Sequence, residues 1–132
     1  MKRFHLIFGL LLFVLFVVTG RFMVADFPDK VSMPQELRLL LRSRHIYIFF
    51  CAMIHTVLGI YLAVRTERWR RTLQYIGSGL LVVAAALLVT AFIRENYFVH
   101  LPSPLSAFGI FASLGGVAFH LIGNIGDPRS KP

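Results

Sequence analysis

Four apolar runs, each long enough to cross a lipid bilayer, take up most of this 132-residue chain. A spanning helix needs about 20 apolar residues, because it rises about 1.5 Å per residue across about 30 Å of hydrocarbon. The runs are Phe4 to Val24, His45 to Val64, Leu73 to Ile93 and Leu105 to Ile125. Inside lipid every backbone N–H and C=O must be satisfied by the segment itself, so runs of this kind are helices. A barrel would show polar–apolar alternation, and none appears. The expected fold is all-α: an integral membrane four-helix bundle, one transmembrane domain over residues 1–132. Composition agrees, with 57% hydrophobic and 15% charged residues and a mean hydropathy of +0.72. Soluble domains carry about 25% charged residues.

The first run follows Lys2 and Arg3 and contains Val18-Thr19-Gly20, a small-residue site of the kind a signal peptidase cuts. It is read as a retained membrane anchor. The net charge of +8 sits between the apolar runs, which suits anionic lipid headgroups and topology control and gives no reason to expect nucleic acid. A cytoplasmic N-terminus puts Lys2, Arg3, Arg65, Arg68, Arg70, Arg71, Arg129 and Lys131 inside. Arg21, Lys30, Arg38, Arg42, Arg44 and Arg94 are then outside. The Arg65–Arg71 loop, with Trp69 as an interface anchor, decides the orientation: both termini face the cytoplasm.

The connection from Ala25 to Arg44 contains Ser32-Met33-Pro34-Gln35, which reads as a capping box with Ser32 at the N-cap and Pro34 in the first turn. Leu37, Leu40 and Leu41 then share one face, while Arg38 and Arg42 share another. This predicts a short amphipathic interfacial helix over 33–43, lying at the membrane surface or extending span two. Gly126 and Pro128 are expected to end span four.

Helices in lipid associate through small residues that let backbones approach. Span four carries Gly109, Ser113, Gly116, His120 and Gly123 on one seam. Span two carries Ala52, Thr56, Gly59 and Ala63, and span three carries Gly77, Leu81, Ala84, Leu88 and Ala91. Gly59, Gly109, Gly116 and Gly123 are the predicted packing positions. Span one, bulky with Phe8, Phe13 and Phe16, is expected to face lipid or a partner protein.

Ionisable groups inside a membrane are costly and mark candidate sites. His55 lies ten residues into span two, and no other histidine is expected at its depth. His5 and His120 share the inner half, whereas His45 and His100 share the outer edge. His55, His120, His45 and His100 are the candidate cofactor ligands, for haem held between two imidazoles or for quinone. The plainer reading is that neutral His55 and His120 bond to neighbouring helices. Cys51, the single cysteine, lies one turn from His55 but supplies too few ligands for zinc, so no metal site is predicted. At the outer edge Arg38, Arg42, Arg44, His45, Tyr47, Arg94, Glu95, Tyr97 and His100 fall at one depth. Arg38, Arg42, Arg44 and Glu95 are candidates for contact with lipid phosphate, quinone or a partner subunit, against a plainer Arg–Glu pair with snorkelling side chains. There is no Gly-rich phosphate loop, Ser–His–Asp set, carboxylate pair or intramembrane acid of the transporter kind.

Arg42-Ser43-Arg44-His45-Ile46-Tyr47-Ile48, a span ending Gly59-Ile60-Tyr61-Leu62, and the Arg65–Arg71 loop resemble small uncharacterised four-span inner-membrane proteins of bacteria. The resemblance covers the middle of the chain and implies a location and an architecture but no chemistry. The expected function is that of a non-catalytic accessory or structural subunit of a larger bacterial membrane complex, or of a homo-oligomer, with lipid and other membrane subunits as partners. The alternatives are a haem- or quinone-binding redox subunit and a small transporter or channel.

Overall fold

The structure is a computed structural model that describes residues 1–27, 29, 33–95 and 103–125. Four helices make up nearly all of it: α1 (Lys2–Asp26), α2 (Gln35–Tyr61), α3 (Arg68–Arg94) and α4 (Pro104–Asn124). Each is long and apolar enough to cross a membrane, and no strand occurs among the described residues. At 1.5 Å per residue, the 25- and 27-residue helices measure about 40 Å and α4 about 30 Å.

The helices form two hairpins, α1 with α2 and α3 with α4, joined chiefly where α2 meets α3. Each helix buries a narrow stripe in which small and polar side chains are frequent, and many of its larger apolar residues face outward. On α1 the stripe includes His5, Gly9, Leu12 and Thr19; on α4 it is Ser106, Gly109, Ser113, Gly116, His120 and Gly123. Leu12, Cys51, Ala52, Ala85 and Leu88 fill the middle of the bundle, and Leu41, Ile48 and Phe92 fill one end.

Glycine sets the helix spacing at both hairpin interfaces. A Cβ on Gly59 would lie 2.6 Å from the Leu6 backbone, and one on Gly116 would lie 2.7 Å from Leu81 Cγ and 2.9 Å from the Gly77 carbonyl oxygen. Gly109 and Gly123 lie against Leu88 and the Arg70 carbonyl in the same way. Gly9, absent from the predicted seams, packs on Thr56 and Ala52. It lets α1 run along α2 through Phe8, Phe13 and Phe16, which are half-buried against the core, so these rings do not form the outward face expected of them.

Two boundaries differ from the sequence reading. Of the two readings of the segment over 33–43, the extension of span two is the one found, since from Gln35 onward it is the first part of α2 and no separate interfacial helix occurs. Pro34 occupies the N-cap with no side-chain cap bond. Ser32, Tyr97, His100, Gly126 and Pro128, with the roles expected of them, lie outside the described residues. At its other end α2 stops at Tyr61, so Ala63 belongs to the loop and to no helix seam.

Gln74, fully buried in α3, holds that loop. Its amide Nε2 donates to the Ala63 carbonyl at 2.8 Å, and its Oε1 accepts the Arg65 N–H at 3.1 Å. A buried polar side chain thus supplies partners that a tight connection lacks. Arg65 Nε donates to Asn124 Oδ1 at 2.9 Å, which links the same loop to the end of α4.

Candidate functional site: two buried polar centres

One polar centre lies toward each end of the bundle. Toward the end where α1 begins and α2 ends, every helix contributes a side chain: His5, His55, Ser78 and His120. His5 and His55 are 0% exposed and His120 is 4% exposed. His5 Nδ1 lies 2.9 Å from His55 Nδ1, and His5 Nε2 lies 2.8 Å from Ser78 Oγ. Ser78 Oγ is also 3.2 Å from His120 Nε2 and donates its proton to the Gln74 carbonyl at 2.8 Å.

Of the two facing Nδ1 atoms of His5 and His55, one carries the proton and the other accepts it. Two further buried ring nitrogens, His55 Nε2 and His120 Nδ1, have no hydrogen-bond partner.

His55 thus has a histidine at its depth, contrary to the sequence reading. That reading measured depth from His45, whereas α2 begins at Gln35 and ends six residues after His55, about 9 Å along the axis. His5 is three residues into α1, which starts at the same end of the hairpin. His5 and His120 do come together, with ring centroids 5.9 Å apart. His5 and His55 touch directly, and no macrocycle fits between those two rings. Among the described residues no three His, Cys, Asp or Glu side chains are grouped to hold a metal ion.

The second centre lies about 16 Å along α2, at Arg44. Arg44 is 1% exposed and faces the α3–α4 connection. Its Nη2 donates to Ser103 Oγ at 2.6 Å and lies 3.4 Å from Glu95 Oε2, with Nε 3.4 Å from Ser106 Oγ. Glu95 caps α4 from outside that helix: Oε1 accepts the Leu105 N–H at 2.8 Å and Oε2 accepts the Ser106 hydroxyl at 2.7 Å. A carboxylate at a helix N-terminus meets unsatisfied N–H groups and the positive end of the dipole. Arg44 and Glu95 are thus turned toward each other inside the bundle and do not face lipid or a partner. Arg38 is half-buried and Arg42 exposed.

His45 belongs to neither centre. It hydrogen-bonds Thr19 at 3.0 Å and stacks on Phe16 with centroids 4.0 Å apart. It lines a cavity of about 160 Å³ between α1 and α2, together with Arg38 and Arg42. The helical stripe His5, Gly9, Leu12, Thr19 was the signal available for His5, since three of its four residues are polar or small in an otherwise bulky run.

No protein-family model, curated protein or solved structure matches this chain.

Proposed function

We propose that this chain is a multi-pass membrane protein that works by association: a non-catalytic accessory or structural subunit of a larger bacterial membrane complex, or a homo-oligomer, with both termini in the cytoplasm. The observation that carries this reading is the division of labour within the helices. The polar side chains of both centres tie the two hairpins to each other. The surface left over on α1 is an unbroken apolar face, with Ile7, Leu10, Leu11, Val14, Val17 and Val18 each more than half exposed. In water a face of this extent marks an interaction or membrane surface. In lipid the same face is open to lipid tails or to a neighbouring helix. The redox reading gains no matched pair of open imidazoles from the His5–His55 contact. The transporter reading gains no acid in the middle of a helix.

Native mass spectrometry of the gently solubilised protein tests the proposal. Masses above the 15.0 kDa chain, from other polypeptides or from further copies, are the expected result. A lone chain in several mild detergents, with no crosslinked neighbour in intact membranes, would refute it.

A further inference from the structure

The α1–α2 hairpin is open at the end where α1 stops and α2 starts, and the cavity of about 160 Å³ lies in that opening. Gly20 and His45 close its inner end, where a Cβ on Gly20 would lie 3.3 Å from His45 Cε1. Met23, Phe27, Met33 and Leu41 give it an apolar wall. Arg38 and Arg42, one turn apart on α2, supply its charge, and no carboxylate among the described residues lines it.

Depth and charge together select the occupant. On α1 the cavity runs from Gly20 to the end of the helix, the last two turns, about 10 Å. A 25-residue helix is longer than the about 30 Å of hydrocarbon in a bilayer, so these turns straddle the boundary between acyl chains and headgroups. The two helices are antiparallel, so the negative end of one dipole lies beside the positive end of the other and the guanidinium groups set the sign of the site. Arg42 is exposed and makes no hydrogen bond or ion pair among the described residues. A guanidinium is always charged and only donates, so its role is fixed whatever its surroundings. Its planar fork matches the oxygens of a phosphate.

The apolar wall separates a lipid from a free anion. Val24 also lines the cavity, is 60% exposed, and carries that wall onto the outward face of α1. Val17 and Leu10, 60% and 53% exposed, continue the same face at intervals of seven residues toward the middle of the bundle. A free phosphate would leave this track unused. We propose that the cavity binds the headgroup phosphate of an anionic phospholipid on Arg42, with Arg38 beside it, and that an acyl chain runs inward along Val24, Val17 and Leu10. At about 30 Å³ per water-sized group the cavity admits roughly five, the size of one phosphate. The site rests on the multi-pass part of the proposed function and is independent of whether the protein works by association.

Lipid titrations of the full chain in mild detergent, read by native mass spectrometry, test it with phosphatidylglycerol, with diacylglycerol of the same chains, and with inorganic phosphate as competitor. Phosphatidylglycerol is expected to bind about tenfold more tightly than diacylglycerol, the combined scale of two arginines at a membrane surface. Arg42→Gln should weaken phosphatidylglycerol about fivefold and leave diacylglycerol unchanged. Arg71→Gln, exposed at the other end of the bundle, should change neither. Val24→Trp obstructs the cavity from an exposed position and should weaken phosphatidylglycerol with the helical circular dichroism and thermal transition kept. Equal binding of the two lipids, an equal loss in Arg71→Gln, unchanged binding in Val24→Trp, or displacement of the lipid by millimolar inorganic phosphate would each overturn the proposal. Failure of the chain to float with liposomes would overturn the multi-pass reading and this site with it, an outcome distinct from insertion without lipid preference.

Discussion

Removing Arg44 should cost this protein more than any other single truncation at a charged position. The guanidinium is 3.4 Å from the Glu95 carboxylate, and the two side chains are 2% and 10% exposed. With an effective dielectric near 20, unit charges at that distance attract by about 5 kcal/mol, from 332/(ε·r). Much of this is offset by the desolvation of both ions. Truncating one partner keeps the desolvation cost of the other and loses the attraction, and such single losses measure about 3–5 kcal/mol. Glu95 would keep the Leu105 N–H and the Ser106 hydroxyl, which places Arg44→Ala toward the lower part of that range. Glu95→Gln keeps one acceptor oxygen where the carboxylate uses two and removes the counter-charge of Arg44, and it should cost a similar amount. The double variant Arg44→Ala/Glu95→Gln removes both charges and should cost less than the sum of the singles, so the cycle shows a coupling of about 2 kcal/mol or more. Reversible unfolding in mixed micelles provides the free energies. Single variants within about 1 kcal/mol of the parent, or a double variant equal to the sum of the singles, would show that the pair is not coupled through its charge.

Three further outcomes are expected. Gly116→Val should loosen or misassemble the α3–α4 hairpin, because its Cβ would sit 2.7 Å from Leu81 Cγ. The cost is about 1–3 kcal/mol. Gly79→Ala, with nothing within 4 Å of the new methyl, should be neutral or stabilising by up to about 1 kcal/mol in the same unfolding experiment. Ser78→Ala leaves Nε2 of His5 and of His120 without their shared hydrogen-bond partner and should destabilise by about 2 kcal/mol, whereas Ser78→Thr keeps the hydroxyl and should restore most of it. A single cysteine at position 68, in a Cys51→Ser background, should resist a membrane-impermeant maleimide in intact cells and react after lysis; labelling from outside would reverse the proposed orientation.

The number of helices was legible in run length alone, and the α3 and α4 seams were legible in the spacing of their glycines, alanines and serines. The start of α2 was legible only as one of two alternatives: Ser32-Met33-Pro34-Gln35 marked a helix start, but the spacing did not show whether that helix was separate or continuous with span two. The depth of His55 was misjudged because it was counted from His45. The Arg44–Glu95 pair was within reach of turn counting, since both lie at the same edge. What sequence spacing lacks is azimuth: it placed nine side chains at one level without showing that Arg44 faces inward while Arg42, two residues earlier, faces out. The bulk of span one hid its packing for a related reason. One glycine at position 9 is enough to seat a helix, and the large rings around it drew the reading outward.

The two hairpins have a consequence for how the chain is made. His5 and His55 lie on the first hairpin, Ser78 and His120 on the second; Arg44 is on the first, Glu95 and Ser106 on the second. Synthesised in chain order, the two halves complete these contacts only when the second hairpin docks on the first. Cutting the chain within the loop at 63–66 and producing both pieces together should restore the whole fold, whereas the amino-terminal piece produced alone should fail to accumulate.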